Sequence, residues 1–248
     1  MIDLHSHVLP GLDDGAADLE QALAICDAAA ADGIEVLAAT PHVRHDYPTT
    51  PGQMEAALAE VRAGAGDRIR VVAGGELDLD ELRRPVEELA RFGLGGTRTL
   101  LVETPYVGWP LDLAERLFAV RVAGFSTVLA HPERNREVQQ RPELLAPIVA
   151  AGTLVQLTAA SVDGRFGRSA KACSFRLLER GLAHLVASDA HAPELRAVGL
   201  SGAVEAIGDP ELARWLTEDV PRAILDGGQT PPRPVRDRPR RLGFLRRS

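Results

Sequence analysis

Several absences narrow what this 248-residue chain is built to do. Aromatic residues make up only 4%, too few for the stacking platforms that hold single-stranded nucleic acid. The net charge of −7 argues against affinity for phosphate backbones, so no nucleic-acid partner is expected. Only two cysteines occur, Cys26 and Cys173, both in apolar helical stretches. That excludes a disulfide framework and reads as two free thiols in a reducing compartment. Nor does either fit a cysteine nucleophile backed by an arginine six positions on, because Asp32 and Glu179 stand there. The G-x-S-x-G elbow and the phosphate-cradling G-x4-G-K-[ST] loop are missing as well. No apolar run approaches the ~20 residues of a membrane span, so stable membrane insertion is not expected. The opening MIDLHSH has no basic-then-apolar leader, which makes a cytoplasmic location the expectation.

What is present suits a large α/β domain. Hydrophobic residues are 45% and charged residues 25%, enough to bury a core and stay soluble. Continuous apolar runs predict strands at Ile2–His5, Glu35–Thr40, Arg70–Gly74, Thr99–Glu103, Thr127–His131, Thr153–Leu157 and His184–Ser188. Such runs are typical of parallel strands buried on both faces. Helix signals alternate with them. Asp18-Leu-Glu-Gln21 resembles a capping box, with Leu19, Ala22, Leu23 and Cys26 on one face. Thr50-Pro51-Gly-Gln53 places proline at the first helical position, followed by a stripe of Met54, Ala57, Leu58 and Val61. Further amphipathic stretches cover Leu111–Val122, Glu143–Ala151, Ser169–Arg180 and Glu194–Ala206, with two more near Pro210–Thr217 and Pro221–Leu225. Seven βα-like units predict a parallel barrel in a single domain over residues 1–228. The remainder, Gln229–Ser248, holds seven arginines against one aspartate and several prolines. It reads as a basic, disordered tail.

The chemistry-bearing residues fall at predicted strand ends. Strand one ends in His5-Ser6-His7, whose imidazoles alternate along the strand and so point the same way. Asp14 lies in the loop that follows, His42 ends the second unit, and Glu76, Glu103 and His131 end the next three. Asp189 and His191 follow the last strand. In a barrel these ends converge on one face. Nine candidate metal ligands result: His5, His7, Asp14, His42, Glu76, Glu103, His131, Asp189 and His191. Gathering so many ionisable groups without a cation would be severely unfavourable. Nine exceed the needs of one tetrahedral ion, and mixed imidazole and carboxylate ligands suit two or three borderline ions such as Mn, Fe or Zn. Such ions activate a bridging water for attack on phosphorus and neutralise the phosphoryl charge. Arg134 and Arg196 are placed to contact phosphate oxygens with their planar forks. His45, in a polar loop, and His184, at the opposite strand end, read as structural or solvent-exposed.

Taken together, the motifs resemble the polymerase and histidinol phosphatase (PHP) superfamily. More narrowly they resemble its bacterial CpsB-like protein tyrosine phosphatases, associated with capsule and exopolysaccharide synthesis. The pieces are MIDLHSH from Met1, Leu9-Pro-Gly-Leu-Asp-Asp-Gly15, Ala39-Thr-Pro-His42, Gly75-Glu76, Leu101-Val-Glu103, Ala130-His-Pro-Glu-Arg134 and Ala187-Ser-Asp-Ala-His191. The resemblance covers residues 1 to about 226. It implies a distorted (β/α)7 TIM-like PHP barrel with a trinuclear, often manganese (Mn2+), centre. On that pattern His5, His7, Glu76 and Asp189 hold one ion. Glu76 bridges to a second ion held by Glu103 and His131, while Asp14, His42 and His191 hold a third. The implied substrate is phosphotyrosine on the tail of a bacterial tyrosine kinase, and self-association stays open. Two positions depart from the pattern, Asn135 after HPER and Thr104-Pro105 after the fourth strand, both expected at the pocket mouth. Two other readings stand beside this one: a small-molecule phosphatase acting on a compound such as histidinol phosphate, and a non-catalytic metal-binding regulatory module.

Overall fold

The computed structural model describes residues 1–191 and 197–235. Among these residues ten strands carry the architecture: β1 Ile2–Ser6, β2 Val36–Ala39, β3 His42–Arg44, β4 Tyr47–Pro48 and β5 Arg70–Ala73, then β6 Glu76–Leu77, β7 Thr99–Glu103, β8 Ser126–Ala130, β9 Leu154–Thr158 and β10 Leu185–Ala187. They form two open sheets in the orders β1-β2-β5 and β10-β9-β8-β7-β6-β3-β4. Every pairing is parallel except the short β3–β4 hairpin. All seven predicted strands are present. Three short strands add to them: β3 and β6 continue two interrupted strands in the other sheet, and β4 folds back on β3.

The interruptions have local causes. Pro41 lacks the N–H that a ladder needs, and it separates β2 from β3. Gly74-Gly75 separates β5 from β6, and a Cβ on Gly75 would sit 2.8 Å from the Phe92 ring. The expected single closed ladder is therefore replaced by two sheets whose edges approach each other. Ser6 and Ala190 form one isolated parallel bridge, with His7 N–H donating to Ala190 O at 2.7 Å and Asp189 N–H to His5 O at 2.9 Å.

Helices cover the strands largely where sequence places them. Asp18 caps helix Leu19–Ala31 by accepting from Gln21 N–H, and that helix buries Ala22, Ile25, Cys26 and Ala29. Leu19, expected on the buried face, is exposed. Thr50 and Gln53 form a complete capping box at the head of Pro51–Ala65, whose Met54, Leu58 and Val61 enter the core. Burying an aliphatic side chain of this size contributes roughly 1.5–3 kcal/mol. Both cysteines are buried and unpaired, and burial pushes their thiols up to about 11 and about 12. Among the described residues no helix is long and apolar enough to cross a membrane.

The stretch read as a disordered tail differs at its start. Pro231 O accepts from Trp215 Nε1–H at 3.0 Å, and Arg233 donates to Leu178 O at 2.7 Å and Ala183 O at 3.3 Å. Gln229–Val235 is thus tied to the body by backbone carbonyls, an anchorage that composition does not reveal. Residues 236–248 lie outside the described set.

Candidate metal centre

Strand register brings the site together. Glu103 pairs with Ala130, Ala130 with Gln156, and His42 with Glu76. Ala130 therefore stands level with Glu103 and Gln156, and His131 lies one residue beyond them. All nine candidate ligands fall into four overlapping groups, in each of which the ligand atoms lie within 4.8 Å of one another. The groups are His7, Asp14, His42 and His191; His5, His7 and Asp189; His5, Glu76 and His131; and His42, Glu76 and Glu103. Glu103 and His131, assigned to one ion by resemblance, fall in different groups that share Glu76. Asp14 is the exposed member, at the mouth; the other eight are buried.

Glu76 lies at the centre. Its Oε2 has His42 Nδ1 at 3.0 Å, His5 Nε2 at 3.3 Å and His7 Nε2 at 3.4 Å, and its Oε1 meets His131 Nε2 at 2.8 Å. Asp189 Oδ1 lies 3.3 Å from Nε2 of both His5 and His7. Asp14 Oδ1 lies 3.3 Å from His191 Nε2 and 3.5 Å from His42 Nε2. Despite these approaches Glu76 Oε2 makes no acceptable hydrogen bond. Two ligands about 2.1 Å from a shared ion lie roughly 3.0–3.4 Å apart, the spacing seen between these atoms. The donor set thus fits divalent cations.

A second layer fixes the imidazoles. His7 Nδ1 meets Asp13 Oδ2 at 2.6 Å, and that same oxygen accepts from His42 N–H at 2.8 Å. His5 Nδ1 faces Gln156 Oε1 at 3.0 Å, and His191 Nδ1 faces Asp189 O at 2.9 Å. In all three histidines Nε2 is left aimed at the cluster, the arrangement by which outer carboxylates and carbonyls orient metal-binding histidines. The turn that positions Asp13 requires glycine: a Cβ on Gly15 would sit 2.1 Å from His7 O. Arg44 donates to both oxygens of Glu103 at 3.1 and 3.2 Å. Asp13, Gln156 and Arg44 were not singled out from sequence. Asp13 carried a signal, since a histidine-binding acid adjoins a candidate ligand.

Electrostatics follow from this packing. Burial penalises charge on His5, His7, Glu76, His131 and Asp189. Even so, the neighbouring His5 and the hydrogen bond with His131 hold the Glu76 carboxyl well below its ordinary value. Burial likewise works against a charged His7, yet Asp13 holds that imidazole well above its ordinary value. Seating a cation there displaces its proton. His131 is pushed down to about 4 by burial, so it is a neutral imidazole at physiological pH. Two members sit in left-handed backbone, His131 at φ 38° and Asp189 at φ 55°.

Arg134 borders the cluster, ion-paired with Asp189. Its guanidinium lies 4.8 Å from the centre of the Tyr106 ring and 5.0 Å from that of Phe166. Tyr106 in turn stacks on His131, with ring centres 5.9 Å apart. Arg196, the other arginine proposed from sequence, lies outside the described residues. Asn135 does not line the mouth. It is buried, caps the helix Arg136–Gln140, and donates to Pro105 O at 2.6 Å and Gly108 O at 2.9 Å, which pins the loop bearing Tyr106. His45 is exposed, and His184 sits far from the cluster as an acceptor for Val155 N–H at 3.1 Å.

Parallel strands ending in clustered imidazoles and carboxylates define an α/β protein with several groups of side chains that could hold metal ions. The chain belongs to the family described as "Capsular polysaccharide synthesis, CpsB/CapC", which matches residues 1–220. The tyrosine-protein phosphatase YwqE of Bacillus subtilis (strain 168) is 34% identical, over 99% of this chain and 100% of that protein. The tyrosine-protein phosphatase CpsB of Streptococcus pneumoniae is 26% identical over 91% of this chain and 98% of that protein. A solved structure from the pair YwqE and CpsB, described as unique metal-dependent tyrosine phosphatases, superposes with a TM-score of 0.84 at 30% identity. It covers 95% of this chain and 100% of its own.

Proposed function

We propose that this protein is a metal-dependent phosphomonoesterase that hydrolyses phosphotyrosine on a protein, and that it serves capsule or exopolysaccharide synthesis in the cytoplasm. The observation that carries the reading is the Glu76 carboxylate, buried among four imidazoles with an oxygen that finds no hydrogen bond. The kinship with tyrosine phosphatases gives that cage its chemistry. The nine residues His5, His7, Asp14, His42, Glu76, Glu103, His131, Asp189 and His191 would hold two or three ions. Manganese suits the mixture of nitrogen and oxygen ligands. Bound there, the ions would supply an activated water and neutralise phosphoryl charge.

The protein's own groups do the rest. Asp13, Gln156 and the Asp189 carbonyl hold His7, His5 and His191 in the orientation that faces the ions. Arg134, steadied between two aromatic rings, offers a planar fork to phosphate oxygens, and Arg196 would add a second. A tyrosyl leaving group, with a pKa of about 10, departs with less help from a general acid than an alkoxide. The partner on this reading is the tail of a bacterial tyrosine kinase. We read the two sheets as one distorted (β/α)7 barrel, opened where Thr40-Pro41 and Gly74-Gly75 interrupt the strands.

The test is to strip the protein with a chelator, reload it with Mn2+, and compare kcat/KM on a phosphotyrosyl peptide and on histidinol phosphate. Turnover should be lost on stripping, return with the ion, and favour the peptide. A preference for histidinol phosphate, or full turnover after stripping, would defeat the proposal.

A further inference from the structure

Beyond the metal centre, the described residues include a basic cleft that no acid neutralises. It measures about 400 Å³ and lies between the helix Arg136–Gln140 and the helix Arg168–Glu179. Arg136, Arg168 and Arg176 line it together with Gln139, Gln140 and Ser169. Among the described residues none of the three arginines forms an ion pair, and two nearby acids are engaged elsewhere. Glu137 accepts from Gly108 N–H at 3.1 Å, and Asp163 pairs with Arg165 at 2.7 Å. A second arginine-lined cleft, at Arg214 and Arg222, shows the contrast: Glu218, Asp219 and Glu35 pair with its arginines. Arg176 is held by the Ala172 and Gln139 carbonyls, so Arg136 and Arg168 are left facing the cavity, in a chain of net charge −7, without an anion to complete them.

The cleft adjoins the candidate phosphate site. Arg136 follows Arg134 by two residues, and Arg168 follows Phe166 by two, Phe166 being one of the rings that flank the Arg134 guanidinium. Two residues of backbone span at most about 7 Å. Both walls of the cleft therefore begin within about 7 Å of backbone from Arg134 and Phe166. Arg136 N–H also donates to Tyr106 O at 3.1 Å, tying the cleft to the loop that borders the cluster.

Resting on the phosphotyrosine reading above, we propose that this cleft docks a second anionic group of the same substrate polypeptide, either a phosphoryl group or clustered carboxylates. Guanidinium forks recognise both kinds of oxyanion, and arginine clusters are the usual means of reading phosphorylated or acidic motifs.

The experiment uses full-length, Mn2+-loaded protein and three phosphotyrosyl peptides of equal length. One has glycine and serine flanks, one has aspartate and glutamate flanks, and one carries a non-hydrolysable phosphonomethyl-phenylalanine in the flank. Wild-type protein should favour at least one anionic peptide by about tenfold in kcat/KM, and which one identifies the source of the anion. Arg136→Glu combined with Arg168→Glu should erase that preference, with p-nitrophenyl phosphate and the neutral peptide turned over within about twofold of wild type and metal content unchanged. Equal kcat/KM on all three peptides, or a preference that survives charge reversal, would overturn the proposal. Absence of any phosphoester hydrolysis by the wild type would instead remove the phosphatase reading. Docking would then be read from fluorescence polarisation of a fully non-hydrolysable peptide with the same anionic flank: weaker binding after charge reversal upholds it, and equal binding rejects it.

Discussion

The two ends of the parallel strands use the same residue types to opposite effect. At one end, histidines and an arginine beside aromatic rings meet carboxylates, and hydrogen bonds are left unmade: Glu76 Oε2, His42 Nδ1 and His131 Nδ1 are buried without partners. At the other, His184 accepts from Val155 N–H, Trp215 donates to Pro231 O, and Arg233 lies 5.7 Å over the Trp215 ring while donating to two carbonyls. Backbone groups satisfy the second set, so it serves only to hold the chain in place. The first set leaves buried polar atoms unsatisfied by the protein itself, which is the mark of a site rather than of a brace. Residue type therefore says little about role; whether the polar atoms are satisfied says more.

The sharpest way to break this comparison is to empty the first end. His131→Ala or Asp189→Ala should cut turnover of p-nitrophenyl phosphate by about a thousandfold or more, with bound metal lost and the circular dichroism spectrum retained. Retained turnover would show that these side chains do not serve the reaction. A smaller effect is expected one layer out. Asp13→Asn removes the charge that orients His7, and should weaken metal affinity by about 10–100-fold while leaving residual activity at saturating Mn2+. Unchanged affinity by competition with a chromogenic chelator would place Asp13 outside the site's machinery.

The smallest effect belongs to the other end. Burial pushes His184 down to about 4, with the Arg233 charge acting in the same sense, while an unfolded imidazole titrates near 6.5. Between those values the unfolded chain binds more protons than the folded one, so this group lowers stability as pH falls from about 6.5 to about 4. His184→Asn keeps an acceptor for Val155 N–H but cannot titrate. Urea midpoints should therefore fall less steeply across that window in the variant than in wild type, with turnover at neutral pH unaffected. Identical slopes would show that His184 is not the neutral acceptor described.

Much of this was legible from the sequence, for identifiable reasons. The seven main strands show as continuous apolar runs because both their faces are buried, and Asp18 and Thr50 mark helix starts because capping is a local matter. All nine candidate ligands could be named because they fall at the ends of the predicted strands or in the segments just beyond, and the structure brings them into one set of groups. Strands of two or three residues such as β3, β4 and β6 have no period to read. The hold of Gln156 on His5, of Arg44 on Glu103 and of Tyr106 on Arg134 joins residues far apart in the chain, and no local pattern encodes such pairs. The same holds for Pro231 and Arg233, whose anchors are main-chain carbonyls and a distant tryptophan.

The left-handed backbone at His131 and Asp189 bears on how this chain would respond to selection. Side chains other than glycine adopt that conformation at a cost of order 1–3 kcal/mol each. A library screened for heat tolerance alone would accordingly enrich glycine or asparagine at these two positions, while one screened for turnover would refuse both. Divergence between two such libraries at 131 and 189, and agreement at Leu101 or Val128 in the same strands, would map where durability and chemistry compete along a single polypeptide.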